Sequence, residues 1–372
     1  MLSLDLAARN VRQSIRIATA GLIGRDQLAE LMMLGAVAQE HLLVVGPPGT
    51  GKSAVVRRVA QAMGGRYFEY LLGRFTEPSE LFGTVDLKKL REGTVETDVS
   101  GMLPEAEIVF LDEVFLGSTA ILNTLLGVLN ERRFRRGHTQ IQCPLRVCVG
   151  AANGLPEDEA LAAFGDRFLL RLFVQPVPDH QLEAMLVGGW QSELHEIASQ
   201  AGMEHLDLLC QTLRQVSLED ARPALVQAIQ KLREAGITLS DRRIVKSQRL
   251  IAAAALLGGR SKATPADLWP LFYILPTPEA QQNAREVLRE LFAASANSNL
   301  HCAVEEASLQ PMSRLARLCE SAQACLARQD EARLSEAEAL LREVDANFST
   351  ETLPGELRAL RIRLAELLTA RI

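Results

Sequence analysis

Residues 41–63, HLLVVGPPGTGKSAVVRRVAQAM, contain the pattern that decides the fold. The segment Gly46–Ser53 matches the loop sequence G-x-x-x-x-G-K-[S/T], whose backbone amides surround phosphate groups. The apolar run before it is short enough for a buried strand, and residues 54–63 have the composition of a helix. A strand, a glycine-rich loop and a helix in this order aim several N–H groups and the helix dipole at one point. The stretch therefore predicts nucleoside triphosphate binding, and the alternative is a chance Gly/Pro turn.

Two side chains of this loop have predicted roles of their own. Lys52 is placed to reach the β- and γ-phosphates, and the Ser53 hydroxyl is placed to bind Mg²⁺. The remaining loop residues bring backbone close to the phosphates: Gly46, Pro47, Pro48, Gly49, Thr50 and Gly51. ATP and Mg²⁺ are the expected ligands.

A second acidic motif lies about sixty residues downstream. The apolar run Ile108–Leu111 ends in Asp112 and Glu113, as expected for a buried strand with two acids at its end. Asp112 is predicted to hold Mg²⁺, which prefers hard oxygen ligands and keeps part of its water shell. Glu113 is predicted to polarise the water that attacks the γ-phosphate. The alternative is a pair of solvated acids at a strand end.

A further buried strand, residues 145–152, ends at Asn153, whose amide is placed to contact both the γ-phosphate and the attacking water. Asn is also common in turns, so that reading stays open on the residue alone. Alternating strands and helices as far as residue 175 predict an α/β fold, a parallel sheet with helices on both faces. The sequence beyond is almost entirely helical. We expect a nucleotide-binding core at 1–176, an all-helical lid at 177–278 and a C-terminal helical extension at 279–372.

Composition excludes several classes of protein. The 372 residues are 48% hydrophobic, which is enough to form full-size hydrophobic cores. The net charge of −6 argues against nonspecific electrostatic binding of nucleic acid. The six cysteines form no C-x-x-C pair and have no histidines at zinc spacing, which favours a reducing, cytoplasmic environment. Cys143 and Cys148 are expected to be core thiols. The longest apolar run, Leu250–Leu257, is too short to span a membrane.

The motifs in this order resemble the AAA+ ATPases and, within them, the MoxR branch, most closely its RavA-type members. The superfamily motifs are Ile23-Gly24-Arg25, Gly46–Ser53, Ile108–Glu113, Asn153 and Gly165–Phe168. The branch motifs are Phe68–Tyr70, Arg74–Gly83, Leu103–Glu107, Ile121–Leu126, Asn130–Phe134 and Ser240–Arg243. The resemblance covers about residues 15–275. RavA-type proteins carry a β-rich module among their C-terminal helices, whereas this tail has only helical patterns.

The resemblance implies roles for further residues. Ile23 and Gly24 match the loop beside the adenine, and Asn153 matches the residue called sensor 1. Arg167 matches the arginine finger that reaches the γ-phosphate held by a neighbouring subunit; the alternative is a salt bridge to an acid such as Asp166. Arg242 matches the sensor 2 arginine, which binds the nucleotide from above.

For both arginine assignments a neighbouring arginine is a weaker alternative candidate. Arg243 is adjacent to Arg242, and Arg171 is a second candidate for the finger.

The family resemblance also implies a homo-oligomeric ring, most simply a hexamer, that remodels a partner with a von Willebrand factor A domain.

Three features of the sequence could suggest a function but also have an ordinary structural explanation. The basic cluster Arg132–Arg136 surrounds Phe134, but a solvated or subunit-facing surface is favoured over nucleic acid binding. Residues 87–93 are expected to form a hairpin insert that touches a substrate or is simply an exposed turn. Five histidines have no metal-ligand spacing and are treated as incidental: His138, His180, His195, His205 and His301.

Overall fold

The computed structural model describes residues 3–192, 202–308, 318–319, 321–323, 325–326, 332–347 and 355–369. The strands are β1 Leu42–Val45, β2 Tyr67–Leu71, β3 Thr84–Val85, β4 Thr97–Asp98, β5 Ile108–Asp112, β6 Arg133–Arg136, β7 Thr139–Gln142, β8 Val147–Ala152 and β9 Leu170–Phe173.

Helices make up most of the remainder. The first seven are α1 Leu4–Thr19, α2 Asp26–Ala38, α3 Lys52–Met63, α4 Pro78–Phe82, α5 Leu87–Arg91, α6 Thr119–Glu131 and α7 Glu159–Gly165. The later ones are α8 Leu182–Ser192, α9 Gly202–Thr212, α10 Arg222–Glu234, α11 Asp241–Leu257, α12 Pro278–Val287, α13 Arg289–Phe292, α14 His301–Ser308, α15 Ala332–Asn347 and α16 Gly355–Thr369. Short 3₁₀ helices occur at Leu103–Glu105, Val114–Leu116, Asp179–Gln181, Leu213–Gln215, Pro265–Asp267 and Trp269–Ile274.

Five of the strands form one parallel sheet in the order β2-β5-β8-β1-β9. Leu42 of β1 pairs with both Val149 and Leu170, and Val45 pairs with Ala152 and Phe173. The carboxyl ends of these strands therefore share one edge of the sheet and the amino ends share the opposite edge. The predicted α/β class with a parallel sheet is confirmed.

Alternate residues of each strand face two different hydrophobic cores. Leu42 and Val44 belong to the core that also contains apolar residues of α1, α2 and α3, whereas Leu43 and Val45 belong to the core beneath α6. This alternation explains why the strands read as continuous apolar runs: both faces of the sheet are covered. Helices on both faces are thus confirmed.

The helical half of the chain packs against the first of these cores. Apolar residues of α9, α10 and α11 join it, and so do residues of α12 to α14, including Phe292 and Val304. The core therefore continues across the boundary that we predicted at residue 278. A separate small core links α15 and α16 with Leu318, Cys319, Ala322 and Cys325, and its largest side chains include Leu340, Leu357 and Leu364.

Two small hairpins project from the core. β3 and β4 pair antiparallel, and α5 lies between them within the hairpin insert that the sequence predicted at residues 87–93. Asp86 caps α5 by accepting the Lys88 N–H at 2.8 Å, which explains the extra helical turn. The second hairpin, β6–β7, turns at Gly137. Among the described residues, none of the helices is long and apolar enough to cross a membrane.

Candidate nucleotide site

The phosphate-binding loop leaves the carboxyl end of β1 and leads into α3. Gly49 and Gly51 have φ of +76° and +77°, a region that side chains disfavour, and neither would have a neighbour within 4 Å if it carried a Cβ. Gly46 is glycine for a different reason, because a Cβ there would lie 2.4 Å from the carbonyl oxygen of Val174. The loop is thus packed on its β9 side and open above.

Lys52 is the first residue of α3 and its side chain turns back into the loop. Its Nζ donates to the carbonyl oxygens of Gly46 at 2.7 Å and Pro47 at 3.0 Å, and the residue is only 7% exposed. Burial lowers the pKa of Lys52, while the charges of Asp112 and Glu113 act in the opposite direction. The ammonium group therefore lies in the field of the two predicted catalytic acids.

The two acids lie at the same edge of the sheet, at the end of β5. Asp112 is its last residue, and its carboxylate accepts the N–H of Glu113 at 3.0 Å. Glu113 has a left-handed backbone with φ of +49°, which is uncommon for a residue with a side chain. Strained backbone of this kind is often found at functional sites. The left-handed conformation of Glu113 turns the chain away from β5 immediately after Asp112, the predicted metal ligand.

Asn153 joins these acids from the neighbouring strand. It follows β8, which pairs with β5, and its Nδ2 donates a hydrogen bond to Glu113 Oε1. Asn153 is exposed and Glu113 is partly exposed. The topology therefore brings together a loop lysine, two carboxylates and an amide that lie up to one hundred residues apart in the sequence.

The donor set of this edge fits magnesium. The Ser53 hydroxyl and the Asp112 carboxylate are hard oxygen ligands, and both residues remain partly exposed. Mg²⁺ is commonly held by one or two such groups together with waters and substrate phosphates. The residues predicted for the metal are thus of the right chemistry.

Arg25 belongs to the motif Ile23-Gly24-Arg25, but the sequence-based prediction gave it no role in the site. Its Nε donates to the Thr50 carbonyl at 2.6 Å, Nη1 to Gly24 at 2.9 Å and Nη2 to Gln175 at 3.3 Å. One guanidinium thus ties the phosphate loop to the predicted adenine loop and to the segment after β9. Its five fixed donors suit a contact with three carbonyls, and a basic residue within a predicted turn was the available signal.

A cavity of about 360 Å³ lies beside the Arg25 clamp. Gly24 and Gln175 line it, together with Gln181 and, from the helical half, Phe272 and Arg285. Ile23, the other residue of the predicted adenine loop, is partly buried.

Arg167 lies at the opposite edge of the sheet. It precedes β9, whose first residue pairs with the first residue of β1, so it is at the amino edge and away from the phosphate loop of its own chain. Its Nε is buried and has no hydrogen-bond partner among the described residues. Asp166 binds Arg243 at 2.6 Å instead, so the alternative salt bridge to Asp166 is not seen.

Arg242 is at this amino edge too, and the structure does not bring it to the phosphate loop of its own chain. Its Nη2 donates to Asn130 Oδ1 at 2.9 Å and its Nη1 lies 3.6 Å from Asp166 Oδ2. Burial lowers the pKa of Arg242, and the nearby charge of Arg167 lowers it further. Arg167 and Arg242 therefore form one cationic pair of side chains.

The neighbouring arginines have structural roles. Arg243 is 3% exposed and donates to Asp166 Oδ1 and to the carbonyls of Phe168, Leu169 and Ile274, all at 2.6–3.0 Å. Arg171 is buried in β9 and donates to the Pro276 carbonyl at 2.6 Å. Neither guanidinium is available to a ligand in this arrangement.

The basic cluster on the β6–β7 hairpin is partly used inside the protein. Arg132 donates to the carbonyls of Leu129 and Gln39 at 2.8 Å each, and Arg136 donates to that of Gly83 at 3.0 Å. Phe134 is buried against Phe82. The aromatic side chain that suggested base stacking is therefore part of the core.

The expectation of core thiols is confirmed for Cys143 and Cys148, which are both buried.

Comparison with known proteins identifies the family. Residues 9–214 match the model described as the MoxR domain in the MoxR-vWA-beta-propeller ternary systems, and residues 222–288 match an AAA lid domain. The chain belongs to the MoxR family of AAA+ ATPases. The matched segments contain every predicted site residue, from Ile23 to Arg242.

Similar proteins agree with this assignment. Two uncharacterized proteins of Methanocaldococcus jannaschii are 34% and 36% identical over 66% and 67% of this chain. The chaperone MoxR1 of Mycobacterium tuberculosis is 28% identical over 44% of it. The matches span 65% and 66% of the archaeal relatives and 44% of MoxR1. A crystal structure of an ATPase candidate from Cytophaga hutchinsonii has a TM-score of 0.63 at 16% identity, covers 79% of this chain and 97% of its own, and supports the fold.

Proposed function

We propose that this MoxR-family protein hydrolyses ATP at the carboxyl edge of its sheet and uses the cycle to remodel a protein partner. The observation that carries the proposal is the convergence of Lys52, Asp112, Glu113 and Asn153, which includes the Glu113–Asn153 hydrogen bond. Phosphoryl transfer needs positioning and charge neutralisation more than covalent chemistry, and this edge offers both.

Each residue has a distinct proposed role. Lys52 exchanges its two carbonyl partners for phosphate oxygens, and the N–H groups of Gly49–Ser53 bind the same phosphates. Ser53 and Asp112 would hold Mg²⁺, which would supply charge neutralisation at the phosphates. Glu113 Oε1 accepts a proton from the attacking water, and Asn153 Nδ2 orients that carboxylate.

Glu113→Gln is the decisive test of hydrolysis. The amide keeps the shape and the hydrogen-bonding capacity of the carboxylate but cannot accept the proton. We expect ATP binding to persist while phosphate release falls at least about 100-fold, within the usual range for a lost general base. Equal turnover by the variant and the wild type contradicts the assignment.

A ring supplies the second half of the site in this proposal. Arg167 and Arg242 lie at the sheet edge opposite to the phosphate loop of their own chain, which suits two cations that complete the site of a neighbouring protomer. We therefore propose a homo-oligomeric ring, most simply a hexamer. Sedimentation of the full chain with a non-hydrolysable ATP analogue is expected to show the ring, and a monomer at every concentration contradicts it.

Mixing two inactive variants tests the action between protomers directly. Arg167→Ala retains Glu113, and Glu113→Gln retains Arg167, so a mixed ring contains complete sites only if Arg167 acts on its neighbour. We expect the mixture to regain ATPase activity that neither variant has alone. No recovery in rings shown to be mixed contradicts the proposed finger.

The proposed partner is a protein with a von Willebrand factor A domain, because the matched family model is described by systems that contain one. Affinity purification with Glu113→Gln, which holds ATP without turnover, is the test. Assignment to the RavA-type members and the divisions at residues 176 and 278 remain predictions.

A slow nucleotide-dependent switch is the second candidate. The observation that favours it is the Asn153–Glu113 hydrogen bond, because an amide that binds the base can hold it until phosphate draws the amide away. Turnover much slower than partner release favours this reading. Nucleic acid binding is disfavoured by the charge balance and the internal bonds of Arg132 and Arg136.

A further inference from the structure

Three side chains with metal-binding atoms meet far from the nucleotide site. Glu30 lies on α2, and His301 and Cys302 are the first two residues of α14. One ligand atom from each residue lies within 4.8 Å of the other two, and Glu30 Oε1 is 3.8 Å from His301 Nδ1. Glu30 is 2% exposed, whereas His301 and Cys302 are partly exposed. The cluster is thus anchored in the core and reachable from solvent.

The carboxylate of this cluster is held in place by backbone. Glu30 Oε2 accepts the N–H of Ala303 at 2.7 Å, and Oε1 accepts that of Cys302 at 3.3 Å. The next carbonyl is also fixed, since that of Ala303 accepts the Tyr273 hydroxyl at 2.7 Å. Hydrogen bonds of this kind typically orient metal-bound carboxylates.

We propose that Glu30, His301 and Cys302 bind one Zn²⁺ ion. A thiolate, an imidazole and a carboxylate are the three side-chain ligands that zinc prefers, and the soft sulfur disfavours Mg²⁺ and Ca²⁺. With metal–ligand bonds of about 2.0–2.3 Å, a tetrahedral site needs ligand atoms roughly 3.3–3.7 Å apart. Separations of up to 4.8 Å therefore require a closure of at most about 1.5 Å.

The charges of the site balance when it is loaded. Binding displaces the thiol proton of Cys302 to solvent, so two negative ligands neutralise the divalent ion and His301 remains neutral. The side chain of His301 is 27% exposed, which gives water access to the fourth coordination position. The competing reading is that Glu30 only caps the amino end of α14, as its two backbone bonds already do.

A metal here would cross-link two parts of the chain that the sequence separates. α2 begins directly after Arg25, the clamp on the phosphate loop, whereas α14 belongs to the segment beyond the lid match. Because Glu30 lies about 270 residues before its partners, no local ligand spacing marks the site. The sequence-based interpretation of His301 as incidental is therefore replaced by this proposal.

Cobalt titration of the full chain is the experiment, on untagged protein stripped with a chelator. Co²⁺ bound to a thiolate gives a charge-transfer band in the near ultraviolet, and tetrahedral Co²⁺ gives intense visible bands. We expect one equivalent of Co²⁺, displaced by one equivalent of Zn²⁺, and a rise in thermal midpoint with zinc. Cys302→Ser should lose the charge-transfer band, and His301→Ala should bind at least about 100-fold more weakly.

Matched variants separate this site from other thiols and imidazoles. Cys143→Ser and His138→Ala change the same residue types elsewhere and should titrate like the wild type. Glu30→Gln keeps an acceptor oxygen for the cap but removes the charge, so it should fold and bind weakly. The proposal is overturned if the wild type takes up no metal at micromolar zinc, which leaves Glu30 as a helix cap only. It is also overturned if Cys302→Ser and His301→Ala retain wild-type affinity.

Discussion

The two edges of the parallel sheet treat their polar residues in opposite ways. At the carboxyl edge, Asp112, Glu113 and Asn153 are at least partly exposed and make few bonds to the protein. At the amino edge, Glu40 is fully buried and binds Lys246 at 2.6 Å and Arg249 at 3.0 Å. Polar groups at the carboxyl edge can therefore still form hydrogen bonds with a ligand. Those at the amino edge form their hydrogen bonds and ion pairs within the protein and stabilise the fold.

The amino edge joins the helical half of the chain to the sheet. His41, buried at the start of β1, accepts the Cys148 N–H at 3.0 Å through Nδ1 and donates from Nε2 to the Leu129 carbonyl at 2.9 Å. Arg243 of α11 contributes three further hydrogen bonds to the segment before β9 and one to the Ile274 carbonyl. Removing one partner from such a network leaves buried polar groups unsatisfied, which is costly.

Replacing Arg243 is expected to have the largest effect. Arg243→Ala leaves Asp166 without its closest partner and three buried carbonyls without donors, so we expect a loss of about 3–5 kcal/mol in the free energy of unfolding. Urea denaturation measures it. Arg242→Ala is the matched control, because the adjacent arginine is more exposed and should cost less than about 1 kcal/mol. Equal losses would show that the amino edge does not depend on burial.

The carboxyl edge should respond in activity and not in stability. Asn153→Ala removes an exposed amide that orients Glu113, so we expect ATP turnover to fall about 10²–10³-fold, or roughly 3–4 kcal/mol of transition-state stabilisation. Stability should change by less than about 0.5 kcal/mol, as at other surface positions. Steady-state phosphate release and urea denaturation on the same preparation test both parts. A stability loss comparable to that of Arg243→Ala would contradict the contrast between the edges.

The sequence predicts the carboxyl edge better than the amino edge for a physical reason. Gly46–Ser53 and Asp112-Glu113 are local patterns, and the rule that parallel strands share one carboxyl edge brings them together. The partners of Arg243 and Glu40 come from segments 31 to 209 residues away, so only tertiary packing selects them. For the same reason the sequence indicated a nucleotide role for Arg242 but not its position at the opposite edge. The role of Arg25 was not predicted, although its motif was, because its three carbonyl partners have no side-chain signature.

The buried His41 should make the amino edge sensitive to acid. Burial lowers the pKa of His41 well below its usual value of 6.5, and the positive charge of Arg132 adds to this shift while Lys246 and Arg242 contribute less. In the unfolded chain His41 therefore becomes protonated near pH 6.5, whereas in the folded chain it stays neutral to a lower pH. Stability present above this pH is lost as the pH falls, by at most about 1.4 kcal/mol per pH unit.

Urea denaturation at several pH values measures that slope. His41→Gln removes the titrating group while keeping a donor and an acceptor, so its unfolding free energy should vary less between pH 6.5 and 5 than that of the wild type. The comparison uses slopes, so a constant loss of stability in the variant does not affect it. Parallel curves for the two proteins would mean that other groups account for the acid sensitivity of this edge.

The smallest effect is expected for an ion pair that lies at neither edge. Arg57 on α3 and Glu69 on β2 form a double contact at 2.8–3.0 Å, but Arg57 is half-exposed. Water and salt screen such a pair, so a double-mutant cycle with Arg57→Gln and Glu69→Gln should give a coupling of less than about 1 kcal/mol that shrinks at high ionic strength. The geometry is as good as that of the Glu40 and Lys246 pair, so a large, salt-independent coupling would mean that geometry and not burial determines the strength of the amino edge.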